Sequence, residues 1–472
     1  MTGYHWRILI VLMVAEMVAG FETSMVLSTL AAWQRILGDP VLVGWLVSSY
    51  LLVQAVAAAL LGRLGDILGR KRVLLATIAL AGVGSLVSAM GESYGVILAG
   101  RAMQGIAGGA LPLCFSLAHE LLPKEKSALG VGFIIAAAAT SSAFGLLIGG
   151  HLTDHYGPAS IFAFSAAFAL VAAPIVYFGL PASLSRSLPP RFDWLGGLLF
   201  GIGLAGLLYG LSSLRAWSES PVIALTTLCG IAILAWWFVH ERRHPDPLID
   251  VRLLSTRNFV IANFAMLALA IGAMQITQIT SLLIQQPPES GTGLGRSATF
   301  LGAIKLPTVA VGVLGSISVG WLLPRFGHRM PVIMGALLIG TSTAAVAFMQ
   351  DSLVLIVVVL CMTNVGINLA YATLPTVVLA SAPPARAGEA AGVLSVFRAA
   401  GQAFGAQFIA VLMSLSMVES GGHRYTSAGG YMIAFLFLAL TASVVVALTL
   451  ALRPITQKAP GDTASAVEPS AR

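Results

Sequence analysis

Charge is what this 472-residue chain has least of: 10% of its residues are Asp, Glu, Lys or Arg, against 57% hydrophobic residues and a mean hydropathy of +0.91. A soluble globular domain carries about 25% charged residues, so a water-soluble fold is excluded and a polytopic membrane protein is left. Cysteine is nearly missing as well. Cys114, Cys229 and Cys361 lie inside apolar runs, without disulfide or metal spacing, and read as small buried hydrophobes. No glycine-rich phosphate cradle is present, so ATP is not the expected energy source. No nucleophile and base can be paired on facing helices, which argues against an enzyme. The net charge of +7 would suit nucleic acid in a soluble protein, but here the basic residues fall in alternate loops and form no face with aromatics.

What is there is a series of apolar runs, each of roughly twenty residues, the length a helix needs to span a bilayer. Six runs lie near 8–30, 41–61, 73–90, 95–118, 128–150 and 159–181. After the polar stretch Ser183 to Asp193 come two more, near 194–212 and 221–239, and after a basic loop another six, near 259–284, 297–323, 331–349, 352–380, 389–417 and 430–452. Glu16 and Glu22 interrupt what would otherwise pass for a signal-peptide core, so the first run is read as a retained span. The expected fold is therefore all-α and polytopic, with fourteen transmembrane helices. Residues 1–182 form an N-terminal six-helix bundle, 183–240 a linker with two extra spans, 241–258 a cytoplasmic loop, 259–453 a C-terminal six-helix bundle and 454–472 a disordered tail. With both ends in the cytoplasm, roughly nineteen of the 26 Lys and Arg fall on that side, as the positive-inside rule requires. The longest loop is too short for a soluble sensor domain.

Between the second and third spans stands a charged, glycine-rich turn, Gly62-Arg63-Leu64-Gly65-Asp66-Ile67-Leu68-Gly69-Arg70-Lys71-Arg72. Its basic residues place it in the cytoplasm. Its acid, Asp66, could meet the positive N-terminal end of another helix, an interaction of about 0.3 to 1 kcal/mol that can be made and broken. A degenerate copy, Gly320 to Arg329, occupies the same place in the second half, with Pro324 where Asp66 stands. The first turn resembles the cytoplasmic signature loop of the major facilitator superfamily, with Gly62, Asp66, Gly69, Arg70 and Arg72 at signature positions. The resemblance implies two parallel six-span halves around a midplane site, and a turn that latches the cytoplasmic side against the start of the thirteenth helix near Gly388.

Charges inside the spans are costly and mark function by default. Arg101 opens Arg101-Ala102-Met103-Gln104-Gly105 in the fourth span, which resembles the superfamily's proton-coupling motif; a snorkelling Arg near the interface is the alternative. Gly145, Gly149 and Gly150 end the fifth span in a run that resembles the glycine motif of drug and proton antiporters, with Leu146 in place of its proline. Phe21 to Ala31 resembles the first helix of the fourteen-span antiporters, with Glu22 in the place of the acid. A carboxyl in a low-dielectric cavity can bind and release a proton near physiological pH. Glu16 lies six residues earlier, about 120° around the helix, so the two acids cannot share a face. Glu22 is the expected proton and substrate carboxylate and Glu16 the alternative; a static pair of either acid with Arg101 is the bland reading.

In the second half, Lys305 either snorkels or meets substrate, and Arg398 reads as a packing feature. Gln275 and Gln278 share one helix face, as do Asn364, Asn368 and Tyr371; they make interhelical hydrogen bonds or line the cavity. His119, Glu120, His151, Asp154 and His155 sit at helix ends and read as solvated. Together the resemblance implies a fourteen-span drug:proton antiporter of a bacterial inner membrane. Such a protein exports amphipathic small molecules by multidrug efflux, conferring antibiotic resistance. It works as a monomer in the bilayer, with protons as its coupling partner and no cofactor or metal. A dedicated exporter of one metabolite or lipid, or a proton-coupled importer, shares the same residues.

Overall fold

A computed structural model describes residues 2–181, 193–213, 220–244, 247, 256–382 and 387–453. The tail 454–472, most of the 183–193 stretch and much of the 241–258 loop lie outside them. Among the described residues, fourteen helices are long and apolar enough to cross a membrane. They are Gly3–Leu37 (α1), Pro40–Leu68 (α2), Arg70–Ala89 (α3), Tyr94–Leu121 (α4), Leu129–Tyr156 (α5), Ser160–Gly179 (α6), Trp194–Ser212 (α7), Pro221–Arg243 (α8), Arg257–Gln285 (α9), Ala298–Phe326 (α10), Arg329–Ala347 (α11), Leu353–Ala380 (α12), Ala390–Ser414 (α13) and Ala428–Leu450 (α14). Fourteen crossings return the chain to the face it left; that side is called the terminal face below and the opposite side the far face.

Lipid offers backbone groups no partners, so each span closes its own hydrogen bonds. Helix starts are capped by short polar side chains: Asp39, Ser93, Asp193, Ser297, Ser352 and Ser427 each accept a backbone N–H of the first turn. Two spans depart from a regular α-helix. α4 tightens to a 3₁₀ turn over Gly105–Gly109, where it lies so close to α2 that a Cβ on Gly105 would stand 2.4 Å from the Tyr50 carbonyl. α9 breaks over Ala273–Gln275, beside the midplane.

Within the first bundle α1 packs on α5 and α3 on α4 and α6; within the second, α11 packs on α14, α10 on α12 and α9 on α13. The bundles meet along two seams, α2 against α13 and α5 against α10. The inserted α7 and α8 pack on each other, and α7 lies against both α2 and α13. The turn and its copy share a backbone device: Gly69 (φ 93°) and Gly327 (φ 68°) both sit in the left-handed region that favours glycine.

The expectation that the thirteenth helix reaches 417 is corrected. α13 ends at Ser414, and a hairpin of Met417–Ser420 (β1) and His423–Thr426 (β2) follows, turning on Gly421-Gly422. Two glycines at positive φ between alternating residues are a hairpin signal that the neighbouring apolar runs mask. Cys229 is exposed and Cys361 half-buried; of the three cysteines only Cys114 is buried.

Candidate functional site

At the midplane the two bundles enclose a cavity of about 50 Å³ whose polar wall is Thr23, Tyr50 and Arg101 from the first bundle and Gln275, Gln278 and Gln402 from the second. Arg101 is 1% exposed, which rules out snorkelling. Its guanidinium is held on several sides. Nε donates to the Leu46 carbonyl (2.8 Å), Nη1 to the Glu22 carbonyl (3.1 Å) and to Gln104 Oε1 (2.7 Å), and the plane lies 4.7 Å from the Tyr50 ring centre. Gln104 in turn donates to Ser85, and Ser85 donates to Glu22 Oε1 (3.0 Å). One chain of bonds therefore links α1, α2, α3 and α4.

Glu22 belongs to this chain and points into the first bundle, toward α3, behind the cavity wall. Its Oε2 and Arg101 Nη2 are both buried without a partner, and the two side chains form no ion pair within 4.0 Å. The static pair with Arg101 is thus not what the structure holds. Glu16 is also buried, with Oε2 likewise lacking a partner. Seven residues separate it from Thr23, about 20° short of two full turns, so the two lie along one stripe of α1; neither Glu16 nor Glu22 is among the residues that line the cavity.

On the second bundle's side, Gln275 and Gln278 do both things expected of them. Gln275 Nε2 donates to the Ala270 and Gln402 carbonyls and Gln278 Nε2 to the Ala406 carbonyl, tying α9 to α13, while both line the cavity. Lys305 is buried, with Nζ donating to Thr277 (2.9 Å) inside the second bundle, so it does not snorkel. Asn364 and Asn368 donate to carbonyls of their own helix, and Asn368 Oδ1 accepts from Ser316 of α10, so both sit at the α10–α12 seam. Tyr371 is 38% exposed, with the Arg398 guanidinium 5.9 Å from its ring centre. Arg398 also donates to Gln402 of its own helix (3.3 Å).

Hydrogen bonds that join the bundles between described residues all lie in the far half. Ser281 donates to the Leu27 carbonyl and Gln285 to that of Ser28, joining α9 to α1. Ser48 bonds Gln407, joining α2 to α13. Asp154, at the far end of α5, accepts from Ala298 N (3.1 Å), Thr299 N (2.8 Å) and Thr299 Oγ1 (2.6 Å), capping the N-terminus of α10. The reading of Asp154 as a solvated helix-end acid is therefore corrected. Glycine lets the same two helices touch: a Cβ on Gly150 would stand 2.3 Å from the Ala298 carbonyl, and one on Gly302 would stand 2.4 Å from Leu147 Cα. Gly145 and Gly149 pack instead on α1, against Ser24 and Met25.

On the terminal face, the partner of Asp66 among the described residues is Arg70 of its own turn (2.7 and 3.0 Å). Arg70 extends to Glu120 (3.1 Å) and the Ser116 carbonyl on α4. Arg72 is exposed and borders a groove between α2 and α3, and Gly62 faces open space. At the second turn Arg325 lies 4.2 Å from the Trp321 ring centre, and Pro324 supplies no acid. A further cluster that sequence reading passed over, Asp193 with His240 and His244, joins the inserted helices.

Two six-helix bundles facing each other across a polar cavity and tied together on the far face define a membrane transporter. The family model of the Major Facilitator Superfamily matches residues 12–195 and 192–406, and the chain belongs to that superfamily. It is 26% identical over 407 residues to a putative multidrug resistance protein, MdtD, of Pectobacterium carotovorum, covering 85% of each chain. It is 29% identical over 331 residues to a uridine/deoxyuridine transporter of Lactococcus lactis, covering 68% of each. Among solved structures it superposes on an auto-inhibited peptide transporter of the POT family with a TM-score of 0.67 at 18% identity, over 96% of this chain and 99% of that one, a likeness of fold.

Proposed function

We propose that this transporter exports amphipathic small molecules in exchange for protons, working as a monomer in a bacterial plasma membrane with its terminal face in the cytoplasm. The observation that carries this reading is a buried acid wired to a buried cation. Glu22 is joined to Arg101 through Ser85 and Gln104 and keeps one oxygen without a partner. It is the proton carrier: binding a proton removes a charge beside Arg101 and loosens the hold of the first bundle on the guanidinium. Glu16, also buried on α1, is the acid proposed to meet substrate. With the far face tied shut, the cavity is reached from the cytoplasm. Substrate enters there, the bundles rock, and a proton arriving from outside drives release. The proton gradient supplies the energy, with no cofactor. The basic turn Gly62 to Arg72 favours this orientation by the positive-inside rule.

A second reading, carriage of a polar solute such as a nucleoside, is favoured by the three amides on the cavity wall and by the Lactococcus relative. Everted vesicles with an imposed pH gradient separate the two. Under the first reading amphipathic compounds dissipate the gradient through wild type and not through Glu22→Gln, while Glu16→Gln keeps proton exchange but responds to a different set of compounds. Dissipation by nucleosides alone would favour the second. A gradient untouched by either panel would defeat proton-coupled export of both.

A further inference from the structure

We propose that Asp193, His240 and His244 bind a divalent transition-metal ion, zinc by the chemistry of the ligands, and that this ion pins α7 to α8 on the terminal face. His240 and His244 are four residues apart near the end of α8, so they project from one side of the helix, with ring centres 5.2 Å apart. Asp193 comes from the other inserted helix. It caps α7 through Gly196 N (2.8 Å), and its two carboxylate oxygens stand 2.9 and 3.0 Å from His240 Nε2. One ligand atom from each of the three residues lies within 4.8 Å of the others.

Zinc takes imidazole nitrogen and carboxylate oxygen at about 2.0–2.2 Å in a tetrahedral array, which puts neighbouring ligand atoms roughly 3.4 Å apart. His240 and Asp193 already stand near that spacing, and a small closing movement of His244 completes a three-ligand face. Asp193 is only 4% exposed, so the ion would be shielded on the side toward the bilayer. A second buried carboxylate adjoins: Asp193 Oδ2 and Glu241 Oε1 both come within 3 Å of where a Cβ on Gly196 would stand, at 2.4 and 2.8 Å. Glu241, which accepts from Trp237 Nε1 (3.0 Å), or a water is the fourth ligand. Two imidazoles with carboxylate suit zinc, whereas calcium and magnesium prefer all-oxygen sites. The ligands come from both inserted spans and from neither bundle, so the site clamps that pair and does not depend on what the protein carries.

The test uses the full chain, purified in detergent through a tag without histidine, stripped with chelator and dialysed against zinc chloride. Wild type is expected to retain one zinc per chain by elemental analysis, to give the visible absorption of tetrahedral cobalt when cobalt replaces zinc, and to unfold at a higher temperature with zinc than without. His244→Ala should bind at least tenfold more weakly and lose the zinc-dependent thermal shift. The conservative His244→Gln gives the same readout should the alanine variant fold poorly. His155→Ala, which breaks the other His pair at this spacing, should bind as wild type does. No zinc retained by well-folded wild type overturns the proposal, as does binding that both His244 variants leave intact. Loss of stability in His240→Ala without any zinc binding would also overturn it, leaving the His240–Asp193 ion pair as the whole of the cluster.

Discussion

Asp154 on the far face and Asp66 on the terminal face both stand at the end of a helix of the first bundle, and their bonds run in opposite directions. On the far face Asp154 reaches across to the second bundle and takes two backbone N–H groups and a hydroxyl at the start of α10. On the terminal face the partner of Asp66 among the described residues is Arg70 of its own turn. Hydrogen bonds to a charged group are worth about 1.5–3 kcal/mol each, so Asp154 is a substantial tie between the bundles. We propose that Asp66 is the corresponding latch of the opposite state, and that conformation is set by which acid finds its partner across the seam.

The largest effect should come from wedging the engaged face. Gly302→Leu puts a side chain into the backbone of Leu147, and overpacking of this kind costs about 1–3 kcal/mol. Substrate flux should fall by at least tenfold. A cysteine at Leu27, on the cavity wall, should become reactive to an impermeant maleimide from the far side, with Cys114, Cys229 and Cys361 replaced beforehand. Asp154→Ala should act in the same direction, with a cost in the same range. Loss of its hydrogen bonds amounts to about 1.5–3 kcal/mol, a shift on the order of tenfold or more toward the far-open state in the same labelling assay. Gln407→Ala removes a neutral bond between α2 and α13, and about 0.5–1.5 kcal/mol should give a shift of a few-fold.

Asp66→Asn should do least here. Its pair with Arg70 is partly exposed, with the Asp66 side chain at 40%, and such pairs contribute about 1 kcal/mol or less. The melting temperature of protein held far-face closed should hardly move, yet transport should drop, because the opposite state loses its latch. Equal effects of Asp66→Asn and Asp154→Asn on melting would erase the contrast between the faces.

Most of the fold is legible in the sequence for one physical reason: a bilayer accepts few structures, so twenty apolar residues almost dictate a helix. The same uniformity hides what lies between helices. The β1–β2 hairpin falls almost wholly between two apolar runs, and only its first residue lies inside the expected thirteenth span. Arg101 and Glu22 stood out because charge in an apolar run is costly, and both proved to be in one buried network. Where the cavity lies was not legible: helical arithmetic separates Glu16 from Glu22 by about 120°, but only packing shows that Thr23 and Leu27 mark the wall of α1. Asp154 and the Asp193–His240–His244 cluster were missed for a related reason. Each joins residues distant in the chain, and only packing brings α5 to α10 or α7 to α8. For Lys305 the structure decides one of two expectations: it is buried with Nζ on Thr277, so it does not snorkel.

The most direct test of the two-latch account is a pair of distance measurements between spin labels. One pair reports the far face, at Tyr156 on α5 and Arg296 before α10; the other reports the terminal face, at Leu68 on α2 and Ala391 on α13, all four exposed. In Asp154→Ala the far pair should lengthen and the terminal pair shorten relative to the parent protein, in the same fraction of molecules. Distributions that Asp154→Ala leaves unchanged, or a far face that opens while the terminal face stays open, would contradict the account.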